Sequence, residues 1–84
     1  MWSIRAELNS LEDYAIIVQN ASKKNLDLAI QDANAKLIGL GTSRSVDEEV
    51  VLLSSTAHQT VTMHVVNTAQ VPVNFDIALY KIRW

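Results

Sequence analysis

Between residues 26 and 31 the side chains alternate one for one: Leu26, Leu28 and Ile30 against Asp27, Ala29 and Gln31. A period of two places each set on its own face of an extended chain, which is the pattern of a half-buried strand. The same region also sets Leu26, Ala29, Ile30, Ala33, Leu37 and Leu40 at helical spacing. A helix over 22–40, capped by Ser22 and ended by Gly41, is therefore the rival. It would strand Leu28 and Ile38 on its polar side. Strands at 25–32 and 36–41, joined by a turn through Asp32, Ala33, Asn34 and Ala35, leave no such misfit.

The rest of the chain repeats the two-residue rhythm. Trp2, Ile4, Ala6 and Leu8 alternate with Ser3, Arg5 and Glu7, and Tyr14, Ile16 and Val18 follow a polar turn. After Glu48 and Glu49, residues 50–53 are β-branched and aliphatic. Val61, Met63 and Val65 alternate with Thr60, Thr62 and His64, and Val73, Phe75, Ile77 and Leu79 with Asn74, Asp76 and Ala78. Seven short, evenly spaced strands predict an all-β fold, a small jelly-roll-like antiparallel β-sandwich filling one domain over 1–84. The alternative is an α+β fold with the 22–40 helix on an antiparallel sheet.

An 84-residue chain buries about 60–65% of its unfolded surface. With 49% apolar residues, that suffices for a core without staples, and the chain has no cysteine for a disulfide or a thiolate metal site. A net charge of −2 gives no electrostatic reason to approach nucleic acid or an anionic membrane. The segment Met1, Trp2, Ser3, Ile4, Arg5 has neither a basic nor an apolar leader region, and the longest aliphatic block, Val50 to Leu53, is too short to span a bilayer. The expectation is either a cytoplasmic protein or a module of a larger exported chain.

Taken in order, several segments resemble the bacterial pre-peptidase C-terminal domain, a β-sandwich appended to exported enzymes. The likeness rests on residues 14–18 (YAIIV), 25–34 (NLDLAIQDAN), 48–52 (EEVVL), 60–65 (TVTMHV) and 74–79 (NFDIAL). Two places depart from that family's pattern. Ala35 stands where a turn glycine is usual, and Thr62 with Met63 replaces an aromatic pair. The resemblance implies a secreted or cell-surface accessory module that contacts a matrix, carbohydrate or protein surface, or assists secretion of a parent enzyme.

No residue pattern points to catalysis. His58 and His64 are the only histidines, and no Gly-x-Ser-x-Gly elbow accompanies them. Ser54 and Ser55 lie near His58 but read as strand-end turn formers. On a regular strand the two histidines stand roughly 20 Å apart, too far to share a metal. The stretch from Asp32 fails as an EF-hand: Lys36 fills a ligand position and Ser43 replaces the bidentate Glu. Calcium at a sandwich edge, from Asp27, Asp32 and the Asp47, Glu48, Glu49 run, competes with a plain solvated acidic loop, so no cofactor is expected. Asn20, Ala21 and Ser22 form a sequon, which marks a loop.

The C-terminal stretch carries the candidate ligand-binding residues. If Asn74, Asp76 and Ala78 face outward, the same parity projects Tyr80, Ile82 and Trp84 from one face, a row able to grip a protein or carbohydrate surface. The bland alternative is a bulge after Leu79 that reverses parity and tucks these residues against Trp2. Two further functional classes compete: a self-associating phage- or capsid-like assembly subunit, hence a homo-oligomer, and an intracellular α/β regulator or inhibitor.

Overall fold

The computed structural model of the chain describes residues 1–20, 23–42, 48–68 and 71–82. Seven strands succeed one another: β1 (Trp2–Leu8), β2 (Glu12–Gln19), β3 (Leu26–Gln31), β4 (Leu37–Gly41), β5 (Glu48–Ser55), β6 (Gln59–Asn67) and β7 (Asp76–Ile82). They form a four-stranded sheet in the order β1-β6-β3-β4 and a three-stranded sheet in the order β5-β2-β7, with every pair antiparallel. The fold is an all-β sandwich.

Period-two burial decides the matter between 25 and 40. Leu26, Leu28 and Ile30 point inward and are almost fully buried, as are Val61, Met63 and Val65 of the neighbouring β6. Facing them across the core stand Tyr14, Ile16 and Val18 of β2 and Val51 of β5, with Leu8 closing one end. The helical reading of 22–40 is corrected: Ala29 lies beside His64 on the opposite side of its strand, and Ala33 sits in a turn. Removing Leu28 and Ile38 from water outweighs the helical spacing of smaller alanines, since burial scales with apolar area.

β6, whose wet face carries Thr60, Thr62 and His64 but no Lys, Arg, Asp or Glu, lies in the middle of its sheet, between β1 and β3, and so has no edge to guard. β7 starts at Asp76, later than the apolar rhythm from Val73 predicts. Its partner β2 ends at Gln19, which pairs with Asp76, so the ladder stops there. Phe75 instead meets Trp2 edge-on, with ring centroids 5.2 Å apart.

Two local devices hold the connections. The β3–β4 turn is tied by the Asp32 carboxylate, whose Oδ1 accepts the N–H groups of Asn34 and Lys36, both at 2.9 Å. Ala35 there adopts φ 62°, a left-handed conformation that glycine fits better. At the β2–β3 connection, buried Asn20 spans the loop: its Nδ2 donates to the Lys24 carbonyl at 2.9 Å and its Oδ1 accepts the Lys24 N–H at 3.0 Å. Gly39 and Gly41 serve a different end. A Cβ at either would come within 3 Å of β5, so their bareness lets β4 cross close to that strand.

Candidate functional site

On β2 the inner residues are Tyr14, Ile16 and Val18, which leaves Asp13, Ala15, Ile17 and Gln19 on the outer face. Directly opposed antiparallel residues share a face. The register therefore lays four rows across β5-β2-β7: Ser54–Asp13–Ile82, Leu52–Ala15–Tyr80, Val50–Ile17–Ala78 and Glu48–Gln19–Asp76. The two middle rows are wholly apolar. Leu52 is 70% exposed and Tyr80 55%, with Val50 exposed beside them. Ala15, short and shielded between its taller neighbours Leu52 and Tyr80, leaves a dip in the middle of its row.

Of the sequence-predicted contact row, Tyr80 and Ile82 fall on this outer face; Trp84 lies outside the described residues. The bulge reading is corrected. Register runs unbroken from Asp76 to Ile82, and Trp2 takes Phe75 as its aromatic neighbour. Ile82 is half-buried and borders an open pocket of about 240 Å³ with Asp13, Leu52 and Ser54. The row thus belongs to a patch that crosses strands. Leu52, Val50 and Ile17 escape sequence reading because residues 14–18 and 50–53 are apolar on both parities, the pattern of strands covered on both faces. That doubled pattern is the signal for a second apolar face.

Charge on this face is one-sided. Glu48 and Asp76 flank Gln19 at one end, and Asp13 stands at the other, where the Ser54 hydroxyl donates to it. Glu48 accepts a bond from Gln19 Nε2 at 3.3 Å. None of the positions in the four rows is Lys or Arg. Lys81 lies on the other parity of β7 and approaches Glu12 at 3.8 Å.

The outer face of the four-stranded sheet bears Leu37 and Leu40 exposed on β4 and, across β1, β6 and β3, a hydrogen-bonded chain that spans three strands. Ser3 Oγ lies 2.6 Å from His64 Nδ1, and His64 Nε2 lies 2.8 Å from Gln31 Oε1. The Gln31 amide N–H donates to the Ala35 carbonyl, which turns Oε1 toward the imidazole. With the amide placed so, a neutral His64 ring donates from Nε2 and accepts the Ser3 hydroxyl at Nδ1. Hydroxyl, imidazole and amide share the connectivity of a nucleophile, base and orienter, but neutral Gln31 lacks the carboxylate charge that stabilises an imidazolium. The chain acts as a cross-strand brace. Sequence reading misses it because Ser3 and His64 meet only through the β1–β6 register.

The remaining candidates disperse. His58 pairs with Glu7 at 2.9 Å on an exposed surface, Ser55 donates to the Ala57 carbonyl, and Ser54 to Asp13. Neither serine bonds His58. For calcium, Asp32 Oδ1 is occupied by its own turn, Asp27 sits on the outer face of β3, and Asp47 lies outside the described residues. Among the described residues no three His, Asp or Glu side chains converge. No family model and no curated protein matches this chain.

Proposed function

We propose that this domain is a non-catalytic binding module that holds a protein surface on the outer face of β5-β2-β7. The observation that carries the proposal is the apolar row Leu52–Ala15–Tyr80, whose outer members remain largely in water. An apolar patch with polar ends is where association gains most from removing water. A protein is favoured over a sugar because the patch is mainly aliphatic, and sugar rings stack best on aromatic planes. Tyr80 is its one aromatic ring among the described residues. The likeness to pre-peptidase C-terminal domains supports the wider role, an accessory module of an exported parent chain.

The test is selection of peptides from a random display library on the immobilised chain. The Leu52→Asp/Tyr80→Ser variant serves as control after circular dichroism shows it folded. Peptides enriched on the wild type and lost on the variant support this face as the contact. Equal enrichment on both, or none on either, refutes it.

A further inference from the structure

Building on that assignment of the face, we infer that its partner is a protein segment whose apolar side chains are flanked by lysine or arginine. The four rows carry three carboxylates, Asp13, Glu48 and Asp76, and no cation. They stand at both ends of the apolar rows, so a segment running along β2 meets acid as it enters and as it leaves. Apolar contact supplies affinity and the end charges set preference and encounter rate.

The same arrangement argues against a second copy as the occupant. Two of these faces laid together in either direction bring acidic ends against acidic ends, and like charges across an interface oppose pairing. Area points the same way. Three strands about 4.8 Å apart and seven residues of about 3.3 Å each define a face of roughly 300 Å². A stable face-to-face pair needs about 800 Å² from each partner. An extended segment laid over Ala15, between Leu52 and Tyr80, fits those dimensions better.

The experiment uses the peptide selection with a third bait, Glu48→Lys/Asp76→Lys, both exposed positions. The wild type is expected to enrich apolar residues bracketed by Lys or Arg, and the charge-swapped chain to prefer Asp or Glu at the position over Gln19 while keeping Lys or Arg at the Asp13 end. Affinity of a selected cationic peptide should fall by about fivefold or more between low and high salt, as screening shortens the reach of the rim charges. If selection depends on Leu52 and Tyr80 but shows no cationic bias, or if the swapped chain keeps that bias at the Gln19 end, this inference fails while the binding face stands. If nothing depends on Leu52 and Tyr80, the face itself is lost. Sedimentation supplies the remaining arm: a wild-type dimer abolished by Leu52→Asp makes a second copy the occupant and overturns the inference, whereas a monomer supports it.

Discussion

Gly39 is the position where adding a single methyl group says most about how the two sheets meet. A Cβ there would lie 2.7 Å from Val51 Cγ1 and 3.3 Å from Ile30 Cγ1. Carbon atoms in favourable contact sit about 3.5–4.0 Å apart, so one neighbour must retreat by about 1 Å. Neither has space: Ile30 is fully buried and Val51 nearly so. Overpacking of this kind costs about 1–3 kcal/mol. Alanine returns about 0.5–1 kcal/mol because it loses less chain entropy in a strand than glycine. The net cost of Gly39→Ala should be about 1–2 kcal/mol, a fall in Tm of about 5–15 °C for a domain of this size. Val51→Ala alone should cost about 2–3 kcal/mol, for two lost methyl groups and the cavity left behind. It also deletes the atom that clashes. In that background Gly39→Ala should be neutral or slightly stabilising, so the double variant is less damaged than the sum of its parts by about 1–2 kcal/mol. Urea unfolding followed by circular dichroism measures all three variants. Additivity within about 0.5 kcal/mol would show that Gly39 and Val51 do not meet, and that glycine at this crossing has another cause.

Other substitutions probe the turns and the open face. Ala35→Gly relieves a left-handed residue worth about 1–2 kcal/mol and gives back part of that through the freer unfolded chain, so it should raise Tm by about 2–5 °C in a thermal melt. Asn20→Asp keeps an acceptor for the Lys24 N–H but sets a carboxylate against the Lys24 carbonyl. It should cost about 1–3 kcal/mol in urea unfolding at neutral pH, no less than Asn20→Ala. Leu52→Asp/Tyr80→Ser should lose less than about 2 kcal/mol, because most of the Leu52 surface and half of Tyr80 already face water. A larger loss would mean that these side chains support the fold, and their place as a contact surface would fall.

The strands were legible because burial on one face writes itself into the chain two residues at a time. Leu26, Leu28 and Ile30, and Val61, Met63 and Val65, show this without ambiguity. The pairing order was not legible, since antiparallel partners such as Trp2 and Val65 stand far apart in the chain and no local pattern names them. Where both parities are apolar, as at Ala15 to Val18 and Val50 to Leu53, alternation cannot say which side faces the core. Only register shows Leu52, Ala15 and Tyr80 as one row. The outward parity of Tyr80 and Ile82 was legible because β7 keeps its register to its end; the neighbours that complete their rows were hidden. Ala35, standing where a turn glycine is usual, is a case where context wins over residue type. Its left-handed φ is imposed by the Asp32-tied turn, and tertiary context there overrides local preference.

Four strands over three leave β1 without a full roof. Trp2 and Ile4 carry core-side parity, opposite Val65 and Met63, yet remain 39% and 44% exposed. β1 is hydrogen-bonded along one side only, to β6. Held by one seam like the other edge strands and only thinly covered, it belongs to the low-stability end of the fold, where local opening costs least. Once β1 swings away, the bared margin of β6 offers threonines and a histidine with no lysine to repel a newcomer. At high concentration the vacancy invites the same strand from a neighbouring molecule, making exchange of β1 between chains the natural route by which this fold would entangle.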